Sequence, residues 1–167
     1  NPSAFSKTEI EIVKNWVYSG GNLFLIADHM PMSGAAADLA MEFGFEFTNG
    51  FAFDTIKRGP DYFNLKEGTL HKSIITKGRD ATESVEQIAT FTGQAFKIPK
   101  DAHSILTFTK NYVNMLPETA WVFNATTTRY TVEGWSQGAY KKYGKGRIVV
   151  FGEAAMFSAQ LAGEEKV

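Results

Sequence analysis

The sequence predicts an α/β domain built on a largely parallel sheet, and three observations carry that expectation. A capped amphipathic helix leads straight into a strand at residues 22–27 that is apolar on consecutive positions. An alanine-rich helix follows at once, and a second continuously apolar strand returns at residues 147–151. Consecutive apolar positions are what a strand covered on both faces requires, and helices alternating with such strands define the α/β class.

The first helix is marked by its own residues. Ser6 and Glu9 form an S-x-x-E capping box, Phe5 and Ile10 can close a hydrophobic staple, and Ile10, Val13, Trp16 and Val17 give an apolar stripe that Gly20-Gly21 ends. After the first strand come Asp28-His29-Met30-Pro31 and then Ser33-Gly34, an N-cap region for the helix at residues 35–43, which Gly44 closes. Ala35, Ala36, Ala37 and Ala40 let that helix approach the sheet closely. Residues 45–47 read as a short strand and residues 49–72 as a long irregular connection. Strands are expected at 86–91 and 104–109, with a weaker one at 121–123. Residues 137–143 and 147–151 form an antiparallel hairpin around Gly144-Lys145-Gly146, and a closing helix is expected at 154–161.

Composition excludes several functions. The chain has 167 residues with no cysteine, which removes thiol nucleophiles, disulfides and Fe–S clusters. Its 17 basic and 18 acidic residues leave a net charge of -1, so no field favours nucleic acid as a partner. Lys141, Lys142, Lys145 and Arg147 read as a solvated hairpin rather than a phosphate track. No apolar run is long enough for membrane insertion, and no signal-peptide layout opens the chain. One domain, 1–167, is expected, either whole or a fragment of a longer chain.

The segments GGNLFLIADHMP, GAAADLAMEFGFEF, LHKSIITKG, FTGQ and YGKGRIVVFGEAAMFSAQ, in that order, resemble the class I glutamine amidotransferase-like superfamily, in its uncharacterised bacterial branch. The trehalose-utilisation-type proteins are more distantly similar. The resemblance implies a doubly wound, mostly parallel, flavodoxin-like sheet. In that fold the turn after a central strand is the nucleophile elbow, occupied here by Asp28-His29, so amidotransferase chemistry is expected to be absent. Such folds open with a strand-helix-strand unit that does not precede Asn1; the chain lacks it or a partner supplies the sheet edge. Similar proteins are often exported, which favours the bacterial envelope or secretion.

Open α/β sheets bind ligands past the carboxyl ends of their strands, which places Asp28, His29 and Glu153 on one rim. An imidazole between two carboxylates suits proton transfer. The alternative is local: Asp28 caps its turn, His29 bonds a backbone carbonyl and Glu153 caps the last helix. Ser33 and Gly34 offer backbone N–H groups to an anion or simply open the helix. Gln94 reads a polar ligand or holds its turn. His71 joins Asp28, His29 and Glu153 as a set with ligand types suited to a divalent metal, though without a recognised spacing; no other cofactor is expected. Phe45, Phe47, Phe51, Phe53, Tyr62 and Phe63 either line a sugar-binding face or form a core under the long loop. The expected function is binding of a small polar ligand, such as a carbohydrate, or of a protein partner at this rim. The alternatives are a hydrolase using Asp28, His29 and Glu153, and a structural domain that associates, as a homo-oligomer for instance, through an exposed sheet edge.

Overall fold

The computed structural model describes residues 2–158. Helix α1 (Lys7–Tyr18) starts where the sequence predicts: the Ser6 side chain accepts the Glu9 N–H, and the Glu9 carboxylate accepts the Ser6 N–H at 2.8 Å. Helix α2 (Met32–Glu42) follows β1 (Asn22–Ile26) and ends at Gly44, whose φ of 87° a side chain would resist. The remaining elements are β2 (Glu46–Phe47), β3 (Phe51–Asp54), β4 (Asp61–Asn64), a one-turn helix α3 (Ile74–Lys77), β5 (Gln87–Thr90), β6 (Phe96–Lys97), β7 (His103–Thr107), β8 (Tyr112–Leu116), β9 (Thr128–Thr131), β10 (Ser136–Tyr143) and β11 (Gly146–Phe151).

The main sheet runs β1-β11-β10-β6-β2, with β7 also on β10; a second sheet runs β3-β8-β9 and a ribbon joins β4 to β5. Helices α1 and α2 cover one face of the main sheet, burying Val17, Leu25, Ala36, Leu39, Ala40, Ile148 and Val150 in a first core. On the other face a second core gathers Phe63, Leu70, Ile105, Leu106, Phe108, Tyr112 and Phe151.

This architecture corrects the fold expectation. Among the described residues only β1 and β11 pair in parallel; every other pairing is antiparallel. The sheet is therefore not doubly wound. Consecutive apolar residues report two covered faces in β11, where the second cover is a β layer instead of a second set of helices, but not in β1, whose Phe24 and Ile26 stay exposed. Periodicity sees burial and is blind to what does the burying.

Other departures are local. The expected irregular stretch at 49–72 holds β3 and β4, and β8 and β9 carry no strong alternation. Residues 121–123 are not a strand. Ala155–Phe157 form a single 3-10 turn, and the rest of the expected closing helix lies outside the described residues. Lys141 is buried instead of solvated, its Nζ 2.8 Å from Asp101 and donating to the Phe43 carbonyl at 3.3 Å. Phe45, Phe51 and Phe63 are core residues, while Tyr62 is exposed.

Candidate functional site

The carboxyl ends of β1 and β11 do lie side by side, and Gln94 ties them together. Its backbone N–H donates to the Gly152 carbonyl at 2.7 Å, its Nε2 to the Ala27 carbonyl at 2.8 Å, and its Oε1 accepts the Thr48 N–H at 3.2 Å. With no exposed surface and both ends of its amide engaged, Gln94 is a clamp for the rim.

Asp28 accepts the His29 N–H at 2.7 Å through Oδ1, so its side chain closes the turn after β1. His29 donates from Nδ1 to the Met30 carbonyl at 2.9 Å, which leaves Nε2 3.8 Å from Asp28 Oδ1, beyond hydrogen-bond reach. The imidazole stacks on Phe51 at 4.4 Å and meets the edge of Trp121 at 4.7 Å. Glu153 is fully buried, and its two oxygens accept the N–H groups of Ala155 at 2.6 Å and Met156 at 3.0 Å, with a further contribution from the Phe91 N–H. Burial raises its carboxyl pKa above the ordinary value despite those bonds, and the Asp28 charge adds to the rise. Asp28 and Glu153 are thus electrostatic neighbours, yet Glu153 is occupied by backbone.

The other sequence-predicted residues are spread apart or engaged. Ser33 and Gly34 both meet Asn49, whose Oδ1 accepts Ser33 Oγ at 3.1 Å and Gly34 N–H at 2.8 Å; the amide oxygen sits where an anion would. His71 bonds Thr107 through Nε2 at 2.8 Å, on β7. Among the described residues no group of three or more acids and histidines comes together in a way that would hold a metal ion.

Two features were not located by the sequence reading, which expected an exposed sheet edge without naming its strand. One is the open side of β1. The Ala27 N–H donates to the Phe151 carbonyl, and backbone groups alternate sides along a strand, so Leu23, Leu25 and Ala27 face β11 while Phe24 and Ile26 direct their N–H and C=O groups away. No described strand pairs there. Phe24 is 54% and Ile26 38% exposed, beside Phe157 at 47%. Trp16 of α1, 51% exposed, lies on the helix flank opposite Lys14, which pairs with Glu42 of α2, and its ring covers Gly21, just before β1.

The second is Asp61. Buried at the start of β4, it accepts the Tyr112 phenol hydrogen at 2.8 Å. Burial lifts its carboxyl from 3.8 to about 6, partly offset by that bond, and the Tyr112 phenol is raised in turn by burial first and the Asp61 charge second. D-Y-F-N after Gly59-Pro60 reads as a turn, so only the fold reveals the acid as buried.

No family model matches the chain, and no curated protein matches it. Solved structures do match. A solved chain of an mmIFT52 N-terminal domain superposes with a TM-score of 0.67 at 16% identity, over 98% of this chain and 67% of that one. The fold resembles that of an IFT52 N-terminal domain. At this identity the likeness speaks of fold alone. It overturns the resemblance to the class I glutamine amidotransferase-like superfamily: the IFT52-like arrangement is β-rich, with mixed and antiparallel sheets, and is neither amidotransferase-like nor flavodoxin-like. The glycine-led strands that carried the resemblance are real, but strand, turn and helix in that order do not specify how the rest of a sheet is wound. Among the described residues no helix is long and apolar enough to cross a membrane.

Proposed function

We propose that this domain is a protein-association module that accepts an extended, uncharged strand from a partner protein along the open edge of β1. The observation that carries the proposal is β1 itself. It is a five-residue strand, NLFLI, hydrogen-bonded on one side and, among the described residues, without a strand on the other, with Phe24 and Ile26 exposed. Edge strands that must stay single are normally guarded by lysine, proline or a bulge. This one has no such guard. Strand addition supplies main-chain bonds to the Phe24 and Ile26 groups, and alternate side chains of the incoming strand gain apolar contact with Phe24 and Phe157. A charged incoming segment would find no counter-ion in NLFLI, which is why the partner strand is uncharged.

Hydrolysis at the rim has less support, because Glu153 is satisfied by backbone N–H groups and the His29 and Asp28 side chains do not hydrogen-bond. The test is amide hydrogen exchange on the dilute domain, repeated with β-forming peptides rich in leucine and valine and with charge-substituted versions of them. In the free domain the Phe24 and Ile26 amides are expected to exchange fast and the Leu25 amide slowly. The uncharged peptides are expected to slow the first two, and Ile26→Pro, which removes an N–H unused in the free domain, is expected to abolish the protection of the Phe24 amide while leaving the fold intact. Slow exchange of Phe24 and Ile26 in the dilute, monomeric domain would mean that the edge is already covered by the chain itself, and the proposal fails.

A further inference from the structure

A cleft of about 430 Å³ lies between the β3–β4 connection and the Phe91–Thr92 turn, inside the size range of small-molecule sites. Its apolar walls include the rings of Phe53, Phe91 and Phe123. Its charged groups are Asp61 and Asp54 together with Lys57 and Arg58. The Asp54 Oδ1 is engaged, accepting the N–H groups of Ile56 at 2.7 Å and Lys57 at 3.1 Å, which shapes the loop that presents the two cations. Asp61 differs: Tyr112 occupies Oδ1, and no donor among the described residues meets Oδ2. Lys57 and Arg58 are exposed and form no ion pair among the described residues.

A carboxylate with one oxygen that meets no described donor, the exposed Lys57 whose charge reaches it without a direct ion pair, the exposed Arg58 and a set of aromatic faces thus share one cleft. Burying a charged group without a partner is costly, so a carboxylate in such a place is complementary to a positively charged donor. The cations beside it are complementary to an anion, and the rings to an apolar body. We propose that this cleft binds a hydrophobic zwitterion, a free amino acid or a short peptide with an apolar side chain, with its ammonium on Asp61, its carboxylate on Lys57 and Arg58, and its side chain against the phenylalanines. The site is separate from the β1 edge, so its failure would leave the strand-addition proposal standing.

Calorimetric titration of the domain at neutral pH with L-phenylalanine, phenethylamine, 3-phenylpropionate and glycine tests each part of that match. L-phenylalanine is expected to bind at least about tenfold more tightly than each of the other three, which lack its carboxylate, its ammonium or its ring. Asp61→Asn, and separately the double variant Lys57→Ala/Arg58→Ala, are each expected to weaken phenylalanine by about tenfold or more. The lysine and arginine are exposed, so the double variant tests the proposal even if the Asp61 variant fails to fold. Including the dipeptide Phe-Phe distinguishes the two sources: tighter binding than phenylalanine supports a peptide, weaker binding a free amino acid. Phenethylamine or phenylpropionate binding as tightly as phenylalanine would overturn the zwitterion, and so would the absence of any heat up to about 10 mM phenylalanine.

Discussion

Asp61 is the residue whose environment departs furthest from what its sequence neighbours suggest. Its carboxyl, raised from 3.8 to about 6, holds a proton more tightly in the folded state than in the unfolded one. Its contribution therefore favours folding most below about pH 4, and that advantage is lost as pH rises through about 6, on the order of 3 kcal/mol in all. Glu153 is shifted the same way by burial, whereas Glu9, Asp80, Glu83 and Asp101 are shifted downward by hydrogen bonds at the surface, where solvent screens their effect. The clean measurement is the difference between wild type and Asp61→Asn in urea unfolding at pH 4, 5, 6 and 7. The variant keeps an acceptor for Tyr112 and is expected to gain relative to wild type as pH rises. A difference that stays flat across that range would show that Asp61 titrates normally. Nothing in D-Y-F-N announces this; its partner Tyr112 is 51 residues away in sequence.

At the scale of elements, legibility follows the distance over which an element is specified. Helix α1 is readable because both halves of its capping box lie within four residues. The start of α2 is only partly readable. Its helical run is local, but its cap comes from Asn49, across 15 residues from Gly34, on a backbone with φ of 51°. The hairpin of β10 and β11 is readable from Gly144-Lys145-Gly146, yet the reason for the second glycine is tertiary. A Cβ on Gly146 would stand 2.1 Å from the Gly21 carbonyl and 2.2 Å from that of Val17, both backbone atoms at the end of α1. Gly146→Ala is therefore expected to destabilise by about 3 kcal/mol or more, through overpacking that no side chain can relieve. Gly68→Ala, where a Cβ meets nothing within 4 Å but φ is 72°, is expected to cost only about 1 kcal/mol. Thermal or urea unfolding of the two variants side by side checks the contrast; equal losses would place the Gly146 effect in φ alone or show that α1 shifts to make room.

For the whole molecule, the exposed flank of β1 sets an expectation about stability as against association. Phe24 is more than half exposed and contributes to the outer surface, so Phe24→Ser is expected to change folding stability by under about 1 kcal/mol. It is also expected to weaken partner-strand or self-association through that edge markedly. Sedimentation velocity of both proteins across a concentration series, paired with urea unfolding, separates the two effects. A large stability loss in the monomer would mean that Phe24 belongs to the core and that the edge is closed.

The sequence by itself determined the capped first helix, the strand-turn-helix that follows and the closing hairpin. Each of these rests on contacts or periodicities a few residues long. Only the tertiary structure decided the winding of the sheet, the β layer on its second face, the engagement of Glu153 and Gln94 by backbone, the burial of Asp61 and the open side of β1. Strand order and the satisfaction of polar groups depend on which distant segments meet, and a hydrophobic pattern records only that a residue is covered, never by what.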